Sequence, residues 1–155
     1  MINRAQMPEP FVSTVPYVGE RIFAAAVYCS DGRIGDQVDD FLHRGLGLPR
    51  YDRLACPGGP VVLSGRPAAY WDSRGLDEQL RFLGQVHDVR TVVLIAHEGC
   101  AYYLRRLSIA AENAETEMRD DLHRATTAVN RLIPRATVLR YLVHRSGPEI
   151  SFHAL

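Results

Sequence analysis

Two short segments hold the side chains best suited to chemistry. Cys29-Ser30-Asp31-Gly32-Arg33 follows an apolar run from Ile22 to Tyr28, and His97-Glu98-Gly99-Cys100 follows the run Thr91 to Ala96. Two thiolates and one imidazole form a donor set suited to zinc, with Cys29, His97 and Cys100 as ligands and a fourth position open for water. His97 and Cys100 sit close together at a strand-to-helix turn and can face one ion, with Cys29 closing the set from an adjacent strand. Water on such a zinc has its pKa lowered to about 7. Arg33 can hold Asp31 ionised through a bidentate pair. Asp31 can then accept a hydrogen bond from the attacking oxygen and aim its lone pair.

The elements around these segments must bring them together. Ile22 to Tyr28 suits a buried strand, and Asp36 to His43 a short helix that Gly45, Gly47 and Pro49 end. Tyr51 to Cys56 reads as a second strand, stopped by Pro57-Gly58-Gly59-Pro60. Residues 61–75 read as a loop with some apolar content, a candidate lid carrying Tyr70 and Trp71. Leu76, Leu80, Leu83 and Val86 have helical spacing. Residues 101–133 are helical in character, as one helix or two, with an apolar stripe from Met118 to Leu132 and Pro134 as the stop. Ala136 to Val143 and Ile150 to His153 read as further strands. Alternation of strands and helices predicts an α/β fold, with a mostly parallel central sheet of four to five strands flanked by helices. In such sheets ligands bind beyond the carboxyl ends of the strands, where both segments fall. Residues 1–20, with Pro8, Pro10 and Pro16, are expected to form an N-terminal arm, and residues 21–155 a single domain.

Bulk composition narrows the chemistry. Eighteen basic and eighteen acidic residues among 155 leave no net charge, so no global field favours nucleic acid or an anionic membrane. Every basic residue is arginine, which excludes Schiff-base chemistry and a Walker-type phosphate lysine. Three cysteines do not make a disulfide framework and fit a reducing, cytoplasmic setting. The N-terminal segment lacks the apolar core of a signal peptide, and no run has the length of a membrane span.

Cys-x-Asp-x-Arg after a first strand, followed by His-x-x-Cys after a later one, resembles the β-class carbonic anhydrases. The resemblance runs from about residue 22 to residue 143. It implies that fold, zinc on Cys29, His97 and Cys100, and a catalytic dyad of Asp31 and Arg33. It also implies reversible hydration of carbon dioxide to bicarbonate by zinc-bound hydroxide, and a homodimer or dimer-based oligomer with the site near its interface. Some members exchange Asp for water on zinc when the dyad opens, a role open to Asp31. Where the family usually carries an Arg-Asn-Ala-Gly-like segment, this chain has Leu54-Ala55-Cys56-Pro57-Gly58-Gly59. Gly58 and Gly59 are candidates to shape the substrate pocket.

Other readings remain at this stage. The substrate could be carbon disulfide or carbonyl sulfide, which similar sites attack, or the chain could be a non-catalytic, zinc-stabilised binding or regulatory protein. Thiol chemistry at Cys29 would leave His97 and Cys100 without a role. Cys56 reads as a small buried residue; as a fourth ligand it would make the site closed and structural. Glu98 reads as a charged residue at a helix start. Any of His43, His87, His123, His144 and His153 could serve as a proton shuttle.

Overall fold

The computed structural model describes residues 10–155. Five strands build one sheet: β1 (Ala24–Cys29), β2 (Asp52–Cys56), β3 (Thr91–His97), β4 (Thr137–Ser146) and β5 (Glu149–Ala154). Their order is β2-β1-β3-β4-β5, parallel except for the β4–β5 hairpin. The unbroken apolar sequences of β1 and β3 suit strands buried on both faces, and both are buried along almost their whole length.

Successive residues of β1 point to opposite faces. Ala25, Val27 and Cys29 join a core with the long helices α2 (Tyr70–Val86) and α3 (Ala111–Leu132). Ala24, Ala26 and Tyr28 join a second core with α1 (Gly35–Asp40) and the wider turn Phe41–Gly45 that continues it. The stripe Met118, Leu122, Ala125, Val129 and Leu132 lies in the first core, as its spacing predicts.

Residues 61–75 differ from the expected loop. Gly59–Leu63 is a tight 3₁₀ turn whose residues are all buried beneath α2 and α3, and α2 starts already at Tyr70. Pro60 and Pro67 stand at the starts of short turns, Gly59–Leu63 and Pro67–Ala69, where a fixed φ and a missing N–H cost nothing. Tyr70 and Trp71 pack edge to face at 5.1 Å, and Trp71 borders a groove beside β2 rather than covering the Cys29 segment. The 101–133 region divides into a single wide turn (Tyr102–Arg106) and α3, separated near Ser108, whose φ is +54°. Residues 10–20 of the expected arm have no helix or strand and are exposed; residues 1–9 lie outside the described residues.

Candidate metal centre

Parallel pairing sets the site. Tyr28 of β1 stands level with Ile95 of β3, so Cys29 and His97 end adjacent strands almost side by side. Beyond β3, Gly99 takes φ +68°, a left-handed turn that suits glycine, and the chain returns Cys100 to the same spot. The ligand atoms of Cys29, His97 and Cys100 all lie within 4.8 Å of one another, and all three residues are buried.

Three features suit a metal ion. The Cys29 and Cys100 Sγ atoms are 3.9 Å apart. That is too far for a disulfide, but two thiolates on a tetrahedral zinc at about 2.3 Å would sit about 3.8 Å apart. His97 Nδ1 lies 2.9 Å from the Glu98 carbonyl oxygen, which can only accept, so the proton belongs on Nδ1. Nε2 is left with a free lone pair, buried and without a hydrogen-bond partner. The Cys29 thiol is also held well below its ordinary pKa, first by the hydrogen bond from Cys100, with the Gly58 and Asp31 backbones adding to it against the cost of burial. Cys100 is driven the opposite way by the same thiolate and by burial. Without metal the pair therefore shares one proton, and a cation in its place would satisfy both sulfurs.

Asp31 and Arg33 stand at the mouth of this cluster. The Arg33 side chain donates from Nε at 2.9 Å to Oδ1 and from Nη2 at 2.5 Å to Oδ2 of Asp31, and the Arg33 backbone N–H adds a bond of 3.0 Å to Oδ1. These bonds hold the Asp31 carboxyl well below the usual carboxylate range. A carboxylate offers about four acceptor positions, so three donors leave about one for a proton presented from the site. Asp31, Arg33 and His97 line a cavity of about 410 Å³, whose far wall is the β4–β5 hairpin.

The other candidates take different places. Gly58 and Gly59 do not line this cavity. A Cβ on Gly59 would stand 2.7 Å from the Cys29 nitrogen and from the Tyr28 carbonyl carbon, so a glycine lets this turn press against the end of β1. Cys56 pairs in register with Cys29, yet its thiol points to the Gly59 carbonyl at 3.7 Å and is outside the ligand cluster. Burial, with the Cys29 charge, pushes that thiol up to about 11, so it stays protonated. Glu98 accepts the Arg145 backbone N–H at 3.1 Å and lies 4.0 Å from His144. Glu98 lines the cavity, so His144 reaches it through that contact; His87 is bonded to Asp52 instead, at 2.8 Å.

Sequence reasoning missed one supporting group. Asp121, fully buried on α3, accepts both Arg66 Nε, at 2.8 Å to its nearer oxygen, and Arg124 Nη2 at 2.5 Å. Burial, and after it the Asp121 charge, pushes the buried Tyr103 phenol above its ordinary range. Through Arg66, Asp121 ties α3 to the segment after Gly59–Leu63. Its only signal was an acidic residue beside the Met118–Leu122 stripe.

Comparison with known proteins agrees with this architecture. Residues 19–150 match the family model described as "Putative carbonic anhydrase". The chain belongs to that family. Among curated proteins it is 23% identical to an uncharacterized protein of Rickettsia conorii, over 78% of this chain and 67% of that one. Among solved structures it is similar to β-carbonic anhydrase isoform I of Trichomonas vaginalis. The TM-score is 0.53 at 15% identity, covering 93% of this chain and 88% of that one. The fold of this family member is thus that of the β-carbonic anhydrases, with a Cys-His-Cys cluster compatible with a metal at the carboxyl end of its sheet. No helix among the described residues is long and apolar enough to cross a membrane.

Proposed function

We propose that this protein catalyses the reversible hydration of carbon dioxide, with zinc held by Cys29, His97 and Cys100. The observation that carries this reading is the convergence of three buried ligand atoms within 4.8 Å beside a cavity that also presents the Asp31–Arg33 pair. Zinc bound there would supply Lewis acidity and a hydroxide nucleophile near neutral pH. His97 offers Nε2 because its Nδ1 proton is committed to the Glu98 carbonyl. Asp31 stays ionised, accepts one proton's hydrogen bond and orients the nucleophile; Arg33 fixes the rotamer and charge of Asp31. The three unpaired thiols suit a reducing, cytoplasmic compartment.

The protein also acts as a homodimer in this reading. Phe11, Val12 and Tyr17 are 71%, 77% and 95% exposed on the N-terminal segment, and Trp71 is 80% exposed beside edge strand β2. Apolar surface of this kind calls for a cover. Light scattering on the purified protein tests it, and a monomer at micromolar concentration would refute it.

Elemental analysis and stopped-flow carbon dioxide hydration on one purified sample test the catalytic reading. One zinc per chain is expected, with hydration that Asp31→Ala abolishes while the zinc remains. Zinc without hydration would direct attention to carbon disulfide or carbonyl sulfide, or to a non-catalytic role. Absence of bound metal would refute the assignment of the site.

A further inference from the structure

The hydration reading leaves most of the cavity unused. A volume of about 410 Å³ is in the range of pockets that enclose organic ligands, far beyond the needs of a triatomic substrate. Its lining mixes polar groups, Asp31, Arg33, His97, Glu98 and Arg145, with apolar side chains, Ile34, Val143, Pro148 and Ile150, and Arg145 stands in register with Ile150 across the β4–β5 hairpin. The two guanidinium groups differ in their commitments. Arg33 is bonded to Asp31 through Nε and Nη2. Arg145 uses its backbone N–H on Glu98, but its guanidinium has no ion pair among the described residues.

We propose that this cavity binds a small organic carboxylate, its charged end paired with Arg145 and its apolar body against Ile34, Val143, Pro148 and Ile150. Arginine presents a planar fork of donors that matches a carboxylate, and the apolar side chains of the lining reward a ligand larger than an inorganic anion. Charge around the cavity sets a direction for the test. The Asp31 charge is offset by Arg33, whereas the Glu98 carboxylate, with a side chain 59% exposed, opposes an anion in the same space. The inference shares its location with the proposed metal centre, but it does not require hydration to be the reaction.

Isothermal titration calorimetry on the full-length, metal-replete protein is the test, with benzoate as probe, benzamide as its neutral counterpart and acetate as the anion without a body. Benzoate is expected to bind at least about tenfold more tightly than either. Arg145→Gln, at an exposed position, should weaken benzoate about tenfold and leave benzamide unchanged, and Glu98→Gln should tighten benzoate. Equal benzoate affinity in the wild type and Arg145→Gln would place the carboxylate elsewhere, such as at the metal, and overturn the inference. Equal binding of benzoate and benzamide would overturn it too. Hydration with no saturable benzoate binding would overturn this inference alone. Arg145-dependent benzoate binding without hydration would support it and refute the hydration reading.

Discussion

Replacing Gly59 with alanine tests how the Pro57–Pro60 turn supports the Cys29 ligand. Gly59 has φ +57°, and a Cβ there would stand 2.7 Å from the Cys29 nitrogen and the Tyr28 carbonyl carbon and 3.1 Å from the Tyr28 Cα. Comfortable contact begins near about 3.5 Å, so the turn and the strand would have to separate by about 0.8 Å. The obstructing atoms are backbone of β1, paired on both sides, and no rotamer change can move them. A left-handed alanine costs about 1–2 kcal/mol and overpacking a further 1–3 kcal/mol or so. Gly65→Ala is the control. Gly65 has φ +78° with nothing within 4 Å of a Cβ, so it carries the conformational cost alone. The excess for Gly59→Ala is therefore about 1–3 kcal/mol. At roughly 2–4 °C per kcal/mol, its Tm should fall about 2–12 °C further than that of Gly65→Ala. Thermal unfolding at matched zinc load measures the difference, and zinc competition should show weaker retention in Gly59→Ala because Cys29 moves with β1. Equal Tm values for the two variants would refute the close-approach argument.

Three further outcomes follow from the same geometry. At neutral pH the metal-free Cys29–Cys100 pair holds one proton, because Cys29 is lowered and Cys100 raised. Zinc binding should therefore release about one proton, with affinity rising about tenfold per pH unit; calorimetry in buffers of different ionisation enthalpy counts it, and two protons would contradict the shared-proton pair. Cys56→Ala should leave zinc stoichiometry unchanged by elemental analysis and cost about 1 kcal/mol in urea unfolding, because its protonated thiol lies outside the ligand cluster; loss of zinc would make Cys56 a ligand. Asp121→Ala removes the buried carboxylate that Arg66 and Arg124 share, leaving Arg66 with Glu117, and should cost about 2–4 kcal/mol by the urea midpoint, whereas a loss below about 0.5 kcal/mol would show the network to be dispensable.

By itself the sequence determined the chemistry-bearing residues and the frame that carries them. Cys29, Asp31 and Arg33, then His97 and Cys100, are legible because each group follows an apolar run whose pattern marks a buried strand, and parallel strands present their carboxyl ends on one side. The apolar stripe of α3 was legible for a similar reason, since helical periodicity is a local property. Residues 61–75 were not, because proline and glycine weigh toward a loop unless the burial of Val61, Val62 and Leu63 is known. Only tertiary structure decided what depends on distant segments meeting. Register between β1 and β3 put Cys29 beside His97, and the contact of Gly59 with the end of β1 made a turn glycine a steric requirement. The β4–β5 hairpin brought Arg145 and Ile150 to a cavity whose other wall lies more than a hundred residues earlier at Asp31. Asp121 found Arg66 and Tyr103 from separate segments. Such groups leave no periodic trace, because a contact across the sheet constrains two positions without constraining the residues between them.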